Sequence, residues 1–198
     1  VAITAGTTTT FGNASTDTFS MSAGPFNAAG TVNIDATTNA ISGGTFDGGS
    51  ATVNVDAAFT LSGGTYILSS GSNTFADALT ISGSPTFTVG SNTVTLDTSS
   101  ATISSTQPFH HLTINATGAT KTLGSDVDVN GTLTITLGTL DVSTTVYSIT
   151  VGGGWTDTST GAFTERTGTV TFDGTGTLNA NEAFYSVTIN TSGTVTLG

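Results

Sequence analysis

The chain has 198 residues, of which 13 are acidic and only two are basic, so its formal net charge is −11. This excess of negative charge repels phosphate backbones and anionic membrane surfaces, and it excludes nucleic acid as a partner. The sequence has no apolar run of about 18 residues, the length that a membrane-spanning helix requires, so membrane insertion is not expected.

The composition favours an all-β fold. Thr makes up about a quarter of the chain, and Val and Ile are frequent, so β-branched residues dominate. Such residues suit the pleated surface of a sheet, and no stretch places apolar residues at the 3.6-residue spacing of a helix. Almost no α-helix is therefore expected.

A short strand followed by Asp, Asn or Gly recurs nine times. In most copies the second and fourth residues are apolar and the first and third are polar, which is the pattern of a half-buried strand. We expect the nine copies to stack in one column, with a corner after each strand. The copies are 31–35, 52–56, 73–77, 93–97, 111–115, 126–130, 148–152, 169–173 and 186–190.

A second series of apolar residues runs in phase with the first at steps of 20 to 22 residues, and an aromatic residue follows each member. Its members are Met21, Ile41, Leu61, Ile81 and Ile103, followed by Phe26, Phe46, Tyr66, Phe87 and Phe109. These steps predict a right-handed parallel β-solenoid, or β-helix, of about nine to ten coils with roughly 20 residues per coil. The whole chain, 1–198, is then one domain with a continuous core.

The coils fall into larger groups. Residues 1–50 form N-terminal coils, and residues 51–124 and 125–198 are predicted to be two copies of a larger repeat, offset by 74 to 75 positions. No polar capping coil is evident after the second copy. An uncapped coil presents unpaired strand groups, so we expect its end to pair with another chain or with more of the same chain.

The acidic residues at the first four corners are candidate metal ligands. Asp35, Asp56, Asp77 and Asp97 would stack on neighbouring coils, where calcium could bridge their carboxylates. The simpler interpretation is a turn role, because later corners carry Asn or Gly and the calcium-binding nonapeptide is absent. No other cofactor is expected.

No catalytic constellation is evident, so an enzyme is not expected. Lys121 and Arg166 are isolated, and no serine lies in a nucleophile turn beside a histidine. His110 and His111 must face opposite sides of a strand, with His111 outward beside Asp126. Trp155, with Tyr147 and Tyr185 nearby, either fills a core corner or stacks on a sugar, and the core is favoured.

Ice binding is a further alternative, because outward Thr-x-Thr pairs on a flat solenoid face can order water. In the single predicted column, however, the outward positions include Phe75, His111, Asp126 and Asp128, which interrupt the array. Thr134 and Thr136 fall outside that column. On this register, ice binding is disfavoured.

Four segments resemble repeats of very large prokaryotic cell-surface proteins, similar to the β-solenoid passengers of autotransporters and filamentous haemagglutinins. They are 109–118 (FHHLTINATG), 131–141 (GTLTITLGTLD), 149–155 (ITVGGGW) and 168–174 (GTVTFDG). The resemblance implies a secreted stalk or adhesive role and carries over no catalytic residue.

From these observations we expect an extracellular structural protein, a segment of a cell-surface filament, sheath or stalk that assembles head to tail. The alternatives are an adhesin stalk or carbohydrate-binding module with surface glycans as ligands, and an ice-binding rod. Four Asn-x-Ser/Thr sequons, at Asn13, Asn115, Asn130 and Asn190, are candidate glycan acceptors in their own right.

Overall fold

A computed structural model describes residues 7–12, 16–158, 160–181 and 183–198. Within them the protein is all-β without a helix, and it forms a parallel β-solenoid of about 9 turns with roughly 20 residues per turn. The predicted fold class is thus confirmed. None of the described residues belongs to a helix that is long and apolar enough to cross a membrane.

The described residues form 24 strands, and every strand pairing recorded between them is parallel. In chain order the strands are β1 (Thr8–Phe11), β2 (Thr18–Met21), β3 (Pro25–Asn27), β4 (Thr31–Ile34), β5 (Thr38–Ile41), β6 (Thr45–Asp47), β7 (Thr52–Val55), β8 (Phe59–Leu61), β9 (Thr65–Ile67), β10 (Ser72–Phe75), β11 (Leu79–Ile81), β12 (Thr86–Thr88), β13 (Thr93–Asp97), β14 (Ala101–Ser105), β15 (His111–Leu123), β16 (Val127–Val129), β17 (Leu133–Asp141), β18 (Ile149–Val151), β19 (Trp155–Asp157), β20 (Gly161–Thr164), β21 (Thr169–Phe172), β22 (Gly176–Asn179), β23 (Ser186–Ile189) and β24 (Val195–Leu197).

Each coil has three sides, which we call faces 1, 2 and 3. Among the described residues, face 1 stacks β1, β4, β7, β10, β13, the first half of β15, the first half of β17, β19, β22 and β24. Face 2 stacks β2, β5, β8, β11, β14, the second halves of β15 and β17, and β20. Face 3 consists of β3, β6, β9 and β12, followed by β16, β18, β21 and β23.

The core is a column of in-register apolar ladders. On face 3, Phe26, Phe46 and Tyr66 are ladder neighbours, and their rings stack with centroids 5.0 and 4.7 Å apart. Met21, Ile41, Leu61 and Ile81 form the predicted ladder on face 2. The predicted fifth member is wrong, since Ile103 pairs with Leu79 rather than with Ile81.

The nine strand copies do not form one column. The first five lie on face 1, whereas the last four, β16, β18, β21 and β23, pair with one another on face 3. Alternation of apolar and polar residues defines a strand and its inward side, but all three faces share that pattern. Periodicity therefore could not distinguish one face from another.

The strand around Asn73 is displaced by one residue from the predicted register. Asn73 pairs with Val53 and Phe75 pairs with Val55, so both side chains point inward and are buried. The polar amide of Asn73 therefore occupies an apolar ladder position. A one-residue slip exchanges the two sides of a strand, which is why the prediction placed Phe75 outside.

The described coil nearest the C-terminus presents its inward side chains to solvent. Val187, Ile189 and Leu197 occupy inward ladder positions, yet they are 43%, 55% and 78% exposed. Tyr185 beside them is 64% exposed. At the opposite end, Phe19, Met21 and other apolar side chains line a cavity of about 260 Å³. Phe19 and Met21 are nevertheless only 9% and 8% exposed, so the large exposed apolar side chains of the described residues lie at the C-terminal end.

Candidate functional site

Two rows of outward side chains run along face 1, and together we call them the hydroxyl–amide ladder. Because outward and inward residues alternate along each strand, the residues flanking every buried ladder position lie side by side from coil to coil. Row A contains Thr8, Thr31, Thr52, Ser72, Thr93, His111, Thr132, Gly154, Thr177 and Thr196. Row B contains Thr10, Asn33, Asn54, Thr74, Thr95, Thr113, Thr134, Thr156 and Asn179.

Row B is continuous through nine described coils and consists of Thr and Asn alone. Two of its side chains are joined across adjacent coils, since Nδ2 of Asn54 donates a hydrogen bond to Oδ1 of Asn33 at 3.0 Å. The inward residues beside them, such as Val32 and Val53, are fully buried. The ladder therefore lies on a rigid, packed support.

The interruptions that the sequence predicted are mostly absent from this ladder. Phe75 points into the core, and Asp128 lies on face 3, where it pairs with Thr150. Thr134, which was expected to lie outside the column, pairs with Thr113 inside it. Only His111 remains, and the ladder carries no Asp, Glu, Lys or Arg at its described positions.

His111 is not beside Asp126, contrary to the prediction. Its Nδ1 accepts a hydrogen bond from the backbone N–H of Thr132 at 2.9 Å, while Asp126 lies on the face 3 side and accepts from the N–H of Ser148. Partial burial and the neighbouring His110 ring lower the pKa of His111. The side chain is therefore a neutral member of the ladder at neutral pH.

The four candidate calcium ligands do not form one column. Asp35 and Asp56 are neighbours at the corner that follows face 1, but the next position is Ala76 rather than Asp77. Asp97 is separated from Asp56 by Ala76. Burial and the nearby Asp35 carboxylate raise the pKa of Asp56, as expected for two stacked acids.

Asp77 and Asp97 lie near the buried side chain of Lys121 instead. Lys121 points inward from β15, and its Nζ donates a hydrogen bond to the carbonyl oxygen of Ala76 at 2.8 Å. Burial lowers the pKa of Lys121, and the two carboxylates partly oppose this effect. No three His, Cys, Asp or Glu side chains gather into a metal-binding group anywhere in the described part of the chain. The calcium hypothesis therefore rests on the Asp35 and Asp56 pair.

Trp155 lies in the core, as the sequence favoured. It is fully buried, its ring packs edge-on against Phe163 and Phe184, and its Nε1 donates to Oδ2 of buried Asp157 at 3.3 Å. Tyr147 is half-buried against the same core. Tyr185 is thus the one member of this group that is available to stack on a sugar.

The second basic residue is held in a surface ion pair. Nε and Nη2 of Arg166 donate to the two carboxylate oxygens of Asp141 at 2.6 and 2.7 Å, and this pairing lowers the pKa of Asp141. Arg166 also has a positive φ of 46° in the turn that precedes β21. Its role here is to pin this turn to face 2.

The sequon residues Asn115, Asn130 and Asn190 are all exposed, whereas Asn13 lies outside the described residues. A glycan on any of the three exposed residues would project from a corner of the solenoid.

The chain was compared with protein-family models, with curated proteins and with solved structures. None of the three comparisons gives a match.

Proposed function

We propose that this chain is an extracellular structural rod, a segment of a filament, sheath or stalk on the surface of a prokaryotic cell. The observation that supports this proposal is the uninterrupted parallel solenoid of about 9 turns around one apolar column. Each coil binds only its neighbours, so stiffness and length grow by repetition of the same contacts.

The physical basis of the rod is the pairing between coils. Backbone hydrogen bonds join every described coil of face 1 to the next, and apolar ladders continue the same contacts inside. Bending such a rod would stretch many hydrogen bonds and separate stacked rings at once. A mechanical role requires this kind of cooperative resistance.

End-to-end assembly is the proposed way in which rods are extended. Val187, Ile189 and Leu197 have the positions of core residues and are exposed, while apolar residues line a cavity near the other end. A further coil placed on these residues would bury them and pair the open strands. A head-to-tail contact of this kind does not close on itself, so it produces a filament.

The resemblance of four sequence motifs to surface solenoids of the autotransporter and filamentous haemagglutinin type agrees with this proposal. Extracellular placement also agrees with the scarcity of basic residues, since only Lys121 and Arg166 are sites for trypsin-like proteases. Lys121 is buried in the fold, which leaves Arg166 as the accessible one.

The test is electron microscopy and light scattering of the purified chain over a range of concentrations. We expect filaments with an axial repeat of about nine turns at about 4.8 Å each, or roughly 43 Å. The variant Ile189→Asp should stay as single rods, because a charge on the end surface opposes burial. The control Thr188→Asp, on the outward side of the same strand, should still assemble.

Single rods of the unmodified chain at every concentration would contradict end-to-end assembly. That result would favour the adhesin stalk, whose binding site lies in loops or in neighbouring domains. Equal effects of Ile189→Asp and Thr188→Asp would show that filaments form through the sides of the rod rather than through its ends.

A further inference from the structure

We infer that the hydroxyl–amide ladder of face 1 binds a lattice of ordered water, which makes this face an ice-binding surface. The inference does not depend on filament assembly, because a single rod and a filament both present face 1. It rests on the observed register, which differs from the register that the sequence alone suggested.

The ladder is a regular two-dimensional grid. Neighbouring coils lie about 4.8 Å apart, and alternate residues of one strand lie about 6.6 to 6.8 Å apart. Row B therefore repeats hydroxyl and amide groups at a fixed spacing along the described coils, and row A repeats hydroxyl groups beside it except at His111 and Gly154. A periodic surface of this kind matches a periodic solid better than a single small molecule, which would be held in a cavity.

The side chains of the ladder are chemically suited to contact an ordered network of hydrogen-bonded water molecules. Each Thr offers one hydroxyl and one methyl group, so it can join a water network through the hydroxyl while the methyl fills a gap in it. A charged side chain would instead order water around itself. The chain has a net charge of −11, yet the described positions of the ladder carry no charged side chain.

The ladder is also pre-organised, which reduces the entropy lost when it binds a lattice. Its strands are packed from below by buried residues such as Val94 and Leu112. The Asn33 and Asn54 amides are fixed by the hydrogen bond between them. The β-branched Thr side chains have restricted χ1 rotation.

The other two faces lack this uniformity. On face 3, Asp47 is followed by Ile67 in one outward row, and Asp128 lies farther along the same face. On face 2, Ala40 and Asp141 interrupt the outward hydroxyls. Crystalline polysaccharides are a less suitable partner, because sugar rings stack on aromatic side chains and the described ladder offers only the imidazole of His111.

The experiment compares two double variants of the purified chain in thermal hysteresis and in adsorption of the fluorescently labelled protein to a growing ice crystal. Thr95→Lys with Thr113→Lys alters two neighbouring positions of row B. Thr60→Lys with Thr80→Lys is the matched control, because these residues are ladder neighbours on face 2 with similar partial burial. Circular dichroism and thermal unfolding establish that each variant keeps its fold.

We expect the unmodified chain and the face 2 variant to adsorb to ice and to produce equal hysteresis, whereas the face 1 variant loses most of both. Absence of adsorption by the unmodified chain would overturn the inference. Equal activity of the two folded variants would overturn the assignment to face 1. Binding to crystalline cellulose or chitin without any hysteresis, lost in the face 1 variant, would replace ice with a polysaccharide and also overturn it.

Discussion

Lys121 donates a hydrogen bond from Nζ to the carbonyl oxygen of Ala76, a residue 45 positions earlier in the chain, at a distance of 2.8 Å. The contact crosses the interior, since Lys121 is fully buried on the inward side of β15. It brings the ammonium group near Asp77 and Asp97. The only lysine of the chain thus lies inside the solenoid, beneath the corner that carries Asp77 and Asp97.

The first prediction concerns the pH dependence of stability. Burial lowers the pKa of Lys121, while an unfolded lysine has a pKa of about 10.4. Between the two values the unfolded chain binds more protons, so the free energy of unfolding rises with pH there. Lys121→Met should remove this rise when urea unfolding is measured at a series of pH values that approach about 10.4 from below.

Leu123→Met is the control for that experiment, because Leu123 is a buried neighbour on the same strand and does not titrate. It should keep the rise of the unmodified chain. Burial also raises the pKa of Tyr66, which lowers stability only when the pH passes the unfolded value of about 10. A rise that persists in Lys121→Met would show that another group causes it.

The second prediction concerns the two stacked acids. Burial and Asp35 raise the pKa of Asp56, so the folded chain binds more protons and stability falls as pH rises from about 3.9 to the folded value. At pH 7 the repulsion is present, and Asp56→Asn should stabilise the fold by about 0.2 to 1 kcal/mol. Asp97→Asn should bring no gain, because Asp97 lies near the Lys121 ammonium.

The Asp56→Asn variant also tests whether calcium binds at this corner. The ion takes about six to eight oxygen ligands, and Asp35 with Asp56 supplies few of them. Added calcium should therefore raise the melting temperature of the unmodified chain no more than that of Asp56→Asn. A chelator should leave the melting temperature of both proteins unchanged. A rise confined to the unmodified chain would establish a calcium site at this corner.

The sequence predicted the type of fold but not which face of the solenoid each strand belongs to. Period-2 alternation and steps near 20 residues were sufficient for the parallel solenoid and for the Phe26, Phe46 and Tyr66 ladder. They were not sufficient to separate face 1 from face 3, since β7 and β16 have the same pattern. The aligned segments 53–55 and 127–129, offset by 74, therefore lie on different faces.

The candidate site was hidden by the same ambiguity. Grouping each strand by its closing Asp placed Asn73 and Phe75 outside and added two acids from face 3 to the array. The signal that the sequence did contain was the hydrophobicity of Phe75, which favours burial over exposure. Once Phe75 is placed inside, Thr74 moves to the surface and completes row B.

The third prediction tests this register directly. Asn73 accepts a hydrogen bond from the N–H of Ser69 at 2.9 Å and donates one to its carbonyl oxygen at 2.8 Å, all in the interior. Asn73→Ala should destabilise the fold by about 1 to 3 kcal/mol, because buried backbone groups lose their partner. Thr74→Ala should change stability by less than about 0.5 kcal/mol. If urea unfolding shows a larger loss of stability for Thr74→Ala than for Asn73→Ala, the register that the sequence suggested is the correct one.

The fourth prediction concerns the buried carboxylate of Asp157. It accepts hydrogen bonds from Nε1 of Trp155 and from the backbone N–H of Asn181, and Nδ2 of Asn181 donates to the Asp157 carbonyl oxygen at 2.8 Å. Asp157→Ala leaves the indole and one backbone N–H without an acceptor, which should cost about 2 to 4 kcal/mol. Trp155 is the only tryptophan, so its fluorescence reports the change during urea unfolding.

Asp157→Asn separates the hydrogen bonds from the charge, because its amide oxygen can accept from one of the two donors. We expect it to lose less stability than Asp157→Ala and to keep the blue-shifted emission of a buried indole. If both variants have the same urea midpoint of unfolding as the unmodified chain, the Asp157 carboxylate does not hold the last coils together. Their cohesion would then come from the strand pairing and from the contacts of Trp155 with Phe163 and Phe184.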